Sequence, residues 1–158
     1  MEECEVRPRR ALGWLLVGAG VLGMVCGIVP FVITGLRIAT GRSVPAEMDW
    51  LAHGIESLAL SAEWAMLSSA MGTFLGIMLL WAGAGWIRGR PWAAAVTWMY
   101  VLAGLTVNVT DMIIFALKAK DGPMRTDMLL LDGVATLIAA GLAAWLLLRR
   151  RPASGPPG

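Results

Sequence analysis

Histidine occurs once in this chain, at His53, and cysteine twice, at Cys4 and Cys26. One histidine excludes a bis-histidine haem within a single chain. The cysteines form no C-x-x-C pair and no metal-binding spacing. Cys26 falls inside an apolar run and reads as a small packing residue. Also lacking are a Walker A loop, an HExxH, a Ser/His/Asp set and a GxGxxG between strand and helix. Any chemistry would therefore rest on carboxylates. An enzyme is the less favoured reading, no cofactor is expected, and nothing points to nucleic acid.

Charge is scarce as well. Charged residues make up 15% of the 158 residues and apolar residues 58%, against about 25% and about 45–50% in soluble domains. The excess is gathered into four blocks, about Ala11–Leu36, Ala62–Ile87, Trp92–Leu117 and Met128–Leu148. Each is long enough to cross a hydrocarbon core, which takes about 20 residues. The first two contain no Lys or Arg. The first block follows Arg7, Arg9 and Arg10, as a signal peptide would. At about 26 residues, however, it exceeds the about 7–15 of a signal core, and no A-x-A site follows, so a retained helix is expected.

The predicted fold is therefore all-α: an integral membrane, up-down-up-down four-helix bundle. Residues 1–10 form a cytoplasmic head, 11–151 the four-helix transmembrane domain, and 152–158 a disordered tail rich in Pro, Gly and Ser. Arg88-Gly89-Arg90-Pro91 is a tight turn between the second and third spans, and Asp121-Gly122-Pro123 a turn before the fourth. Pro30 should kink the first span. Basic residues at Arg7, Arg9, Arg10, Arg88, Arg90 and Arg149–Arg151 outweigh Arg37, Arg42, Lys118, Lys120 and Arg125 on the other side. That bias places both termini in the cytoplasm of a plasma (inner) membrane. Trp14, Trp64, Trp86, Trp92 and Trp145 lie near span ends and read as interfacial anchors.

The first outer loop, about Arg37–Ser61, is the only long connection. Ser43 and Pro45 resemble a helix start. Asp49, His53, Glu56 and Glu63 then recur on one helical face, which predicts an extra amphipathic helix. His53, Glu56 and Glu63 are a weak candidate metal set.

Two further patterns stand out. The first is small residues. Gly13, Gly20, Gly23 and Gly27 share a face of the first span, and Ser68, Gly72 and Gly76 share one on the second. Gly133, Ala140 and Ala144 continue the theme on the fourth. In lipid, close backbone approach carries much of helix association. Gly23, Gly27, Ser68, Gly72 and Gly76 are thus expected at helix contacts, and Gly72→Leu should disrupt the bundle more than Leu75→Gly. An oligomer or partner interface is the alternative use of such faces.

The second pattern is a polar stripe on the third span: Thr97, Tyr100, Gly104, Asn108, Asp111 and Lys118. A carboxylate in hydrocarbon costs ~2.5–3.5 kcal/mol on insertion scales, so Asp111 should face protein or a cavity. Asp132 on the fourth span falls at similar depth. With Glu63 and Asn108 these residues are candidates for a proton or cation pathway. The competing reading pairs Asp111 and Asp132 with Lys118, Arg125 or Asn108 on a wet surface. Asn108-Val109-Thr110 matches a glycosylation acceptor but lies inside a span. The leading functional expectation is a small accessory or structural subunit of a membrane complex, with the bilayer and another membrane protein or a second copy as partners. The alternative is a small proton- or cation-handling transporter.

Overall fold

The computed structural model describes residues 3–40 and 61–149. They form four helices: α1 (Glu3–Thr40), α2 (Ala62–Ile87), α3 (Ala93–Lys118) and α4 (Pro123–Arg149). All four are long and apolar enough to cross a membrane. Large apolar side chains point away from the protein, with Leu15, Leu117 and Leu137 at 72%, 79% and 73% exposure. A soluble domain has no comparable surplus of outward apolar surface on every helix.

Helix boundaries follow local chemistry. Ser61 caps α2, its hydroxyl accepting the Trp64 backbone N–H at 3.3 Å. At the other end Gly89 takes φ +63°. This lets the Gly89 N–H donate to the Trp86 carbonyl and the Arg90 N–H to that of Gly85, a Schellman closure. α1 begins at Glu3, inside the segment read as a head, and runs through Pro30 without interruption. α4 begins at Pro123, five residues ahead of the apolar block, because proline is well placed in a first turn. The expected amphipathic helix, with His53 and Glu56, falls in 41–60, outside the described residues.

Packing runs in sequence order: α1 on α2, α2 on α3, α3 on α4. The tightest seam joins α1 to α2. A Cβ built on Gly13 would lie 2.9 Å from the Gly83 carbonyl oxygen, and one on Gly20 would lie 2.8 Å from that of Gly76. One on Gly27 would lie 2.7 Å from the Ser69 oxygen. Residue numbers on α2 fall as those on α1 rise. Backbone thus meets backbone at three places seven residues apart on each helix, where only glycine on α1 permits the approach.

Gly72 meets that seam more loosely. Its added Cβ would meet only the Gly27 Cα, at 3.9 Å. Leu75 belongs to the main buried cluster, which argues against the expectation that Gly72→Leu disrupts more than Leu75→Gly. The small face expected on the fourth span is also displaced. A Cβ on Gly133 would meet nothing within 4 Å, and Ala140 and Ala144 are exposed. Ala139, Leu142 and Leu146 are the α4 residues that bury.

Candidate carboxylate cavity

α1 and α4 pack on their sequence neighbours and form no packed seam with each other among the described residues. Between the helices lies a cavity of about 280 Å³, lined by all four. Ala19, Leu22, Cys26 and Pro30 face it from α1 and Gly72, Leu75 and Leu79 from α2. Tyr100, Val107 and Phe115 contribute from α3, and Leu131, Ala135 and Ile138 from α4. Most of its wall is therefore apolar. From Trp64 to Leu79 it follows α2 for ~22 Å at ~1.5 Å per residue.

The polar lining gathers at one end. Trp64 and Ser68 reach it from the first turns of α2, Asn108 and Asp111 from the second half of α3, and Asp132 from the first half of α4. Asp111 is buried, and the Ser68 hydroxyl donates to its Oδ2 at 2.6 Å. This bond ties α2 to α3 across the cavity mouth. Asp132 lines the same end of the cavity as Asp111. Its Oδ2 is buried without a hydrogen-bond partner, as is the indole Nε1 of Trp64. The Asn108 side chain is only 7% exposed. Among the described residues it finds no hydrogen-bond partner either, although an amide offers two donors and an acceptor.

Neither carboxylate is paired with a cation among the described residues. Arg125 is engaged elsewhere: its guanidinium pairs with Asp121, and its Nη2 donates to the Ala116 carbonyl at 2.6 Å. Lys118 is exposed. The α3 stripe from Thr97 to Asp111 does turn inward, each member buried.

Of the residues singled out from sequence, Asn108, Asp111 and Asp132 come together in this cavity. Glu63 does not. It shares an outward face of α2 with Leu67, Met71 and Phe74, all exposed, because it stands one residue, about 100°, from the inward-facing Trp64. Glu63 therefore cannot join a metal site through the cavity, and among the described residues no group of three potential metal ligands forms. Ser68, expected at a helix contact, is a hydrogen-bond donor to Asp111. Trp64, expected as an interfacial anchor, lines the cavity. Trp86 leaves the anchor class too: its Nε1 donates to the Thr97 hydroxyl at 3.0 Å, and its ring stacks edge-on against Trp145.

No family model, curated protein or solved structure matches this chain. Function must be argued from the cavity.

Proposed function

We propose that this chain is a multi-pass protein of the plasma (inner) membrane whose four spans run up and down with both termini cytoplasmic. In this reading the cavity between them handles a proton or a cation from the outer side. The observation that carries the reading is Asp111 and Asp132 lining one cavity with no cation paired to either among the described residues. Carboxylates held in an apolar wall are costly. Burying them with no counter-charge among the described residues makes sense where a mobile positive charge completes the site. The arginine bias supports the orientation, and the outward apolar faces support insertion.

The test is reconstitution of the full chain in liposomes holding a pH-sensitive dye, under an imposed proton or cation gradient. Asp111→Asn and Asp132→Asn should each abolish uptake while leaving thermal unfolding nearly unchanged, since the amide keeps an acceptor for Ser68. Full uptake in both variants would sink the reading. Orientation is checked with Ser154→Cys and Ser43→Cys: labelling of Ser154→Cys from outside in intact cells would overturn it.

One observation favours the accessory-subunit reading as a second use of the molecule. Gly133 and Gly141 open onto empty space, and Leu137 between them is largely exposed. That leaves a thin strip on α4 that the other described helices do not cover. A stoichiometric partner recovered from native membranes in mild detergent, and lost with Gly133→Leu, would establish it.

A further inference from the structure

The cavity is built for more than a bare ion, and we infer that it binds an amphipathic organic amine: a protonated nitrogen bearing N–H donors, attached to an apolar body. This rests on the reading above that the carboxylates meet a positive charge, and it specifies which kind.

The polar end is poor in anionic ligands. Hard metal cations are held chiefly by several carboxylates. Among the described residues only Asp111 and Asp132 bring carboxylates here, beside the neutral oxygens of Ser68, Ser69 and Asn108, and no group of three potential metal ligands forms. An N–H donor asks for less. Asp132 Oδ2 is buried and unpartnered, and Asn108, which lines the same end, is nine-tenths buried with no side-chain hydrogen bond to another described residue. Each can accept one N–H of an ammonium, while Asp111, already held by Ser68, adds charge. Such orphaned polar groups are costly unless something satisfies them. Trp64 Nε1 is an orphan donor at the same end, which a hydroxyl beside the amine would satisfy.

The rest of the wall decides the ligand's other half. It is apolar for most of its length along α2, and a proton or metal ion would use none of it. At about 280 Å³ the space is at the low end of small-molecule sites, about 300–1,000 Å³. The missing seam between α1 and α4 leaves a flank facing the bilayer, where an amphipathic amine would already be concentrated.

The probe is naphthylethylamine, followed by its fluorescence in nanodiscs carrying the full chain and in empty nanodiscs, with naphthylethanol as the neutral counterpart. The amine should bind saturably. A hydrogen bond to a charged group is worth about 1.5–3 kcal/mol, so the alcohol and the Asp132→Asn and Asp111→Asn variants should bind roughly tenfold or more weakly. Asn108→Leu should weaken the amine several-fold and leave the alcohol unmoved. Gly72→Leu and Ala135→Leu, which fill the apolar part, should weaken both. Thermal unfolding of each variant excludes misfolding, and two variants at each end keep the test decisive if one fails to fold. Equal binding of amine and alcohol, or binding indifferent to both Asp variants, would overturn the inference. So would exclusion of the amine by a second copy of the chain. Should liposome uptake persist and depend on the carboxylates while the amine does not bind, this inference falls and the proposed function stands. Should uptake be absent from the native chain, both fall.

Discussion

Helix α2 presents one small-residue face whose members look alike in sequence and behave differently. Gly76 and Gly83 are pressed backbone to backbone against α1. Ser68 and Gly72, on the same face, line the cavity with more room around them. All of them would be read as one thin helix face. The difference lies in what stands opposite. Gly13, Gly20 and Gly27 on α1 match the spacing of Ser69, Gly76 and Gly83, so that seam closes. Opposite Ser68 stands the Asp111 carboxylate of α3, and a hydrogen bond rather than backbone packing joins the two helices. Small residues thus report that something approaches the helix. Whether it is backbone, ligand or nothing depends on the partner face.

The contrast breaks most severely at Gly76. A Cβ there would lie 2.5 Å from the Met24 nitrogen and 2.8 Å from the Gly20 oxygen. Both are backbone atoms and cannot swing away, so α1 and α2 must separate. Gly76→Leu should cost about 3 kcal/mol, the upper part of the overpacking range. The expected outcome is a large drop in melting temperature in detergent, or no folded protein. A melting curve matching the native one would mean the seam is not closed.

Leu75→Gly comes next. It empties space in the main buried cluster and places a glycine within a helix. In lipid the transfer contribution is small, so the loss should be about 2 kcal/mol, the low end of large-to-small core substitutions. Thermal unfolding in the same detergent measures it. Trp86→Phe should cost less, about 0.6 kcal/mol, the average for a side-chain hydrogen bond between membrane helices. It removes the donor to Thr97, which keeps its own bond to the Ala93 carbonyl, and retains a ring to stack on Trp145. A loss several times larger would show that Trp86 acts mainly through packing.

Four apolar blocks, the turn at Arg88–Pro91 and the turn at Asp121–Pro123 made the helices legible before any coordinates. Each is a local signal: length in hydrocarbon, or a glycine and proline where a helix must stop. Asn108, Asp111 and Asp132 were legible too, because a polar group in an apolar block has few tolerable places to go. Glu63 falls outside the cavity because its face on α2 points outward. One residue of rotation separates it from Trp64, and that rotation decides exposure. The role of Ser68 was hidden for another reason: a hydroxyl on a small-residue face packs or donates according to its neighbour, and the neighbour is 43 residues away. The sevenfold spacing of Gly13, Gly20 and Gly27 against Ser69, Gly76 and Gly83 was present in the sequence.

The smallest expected change in stability is the most informative. Gly72 lies one turn from Gly76 on the same helix, and the same substitution at both separates seam from cavity. At Gly72 the new Cβ would touch only the Gly27 Cα, at ordinary contact distance. The remaining side chain has the cavity to enter. Gly72→Leu also replaces glycine by a better helix former, worth up to about 0.8–1.0 kcal/mol in a helix interior. Loss of room for Leu75 and Tyr100 acts in the opposite direction, and the two should nearly cancel, to within about 0.5 kcal/mol. A melting temperature near native, beside a collapsed Gly76→Leu, would show that Gly72 and Gly76 differ in how closely α1 approaches them. If instead both leucines destabilise alike, α1 closes over Gly72 in the bilayer, and the void between the helices is not a site. If Gly72→Leu melts normally but loses proton or cation uptake, the void is where the function lies, because nothing else about the fold has changed.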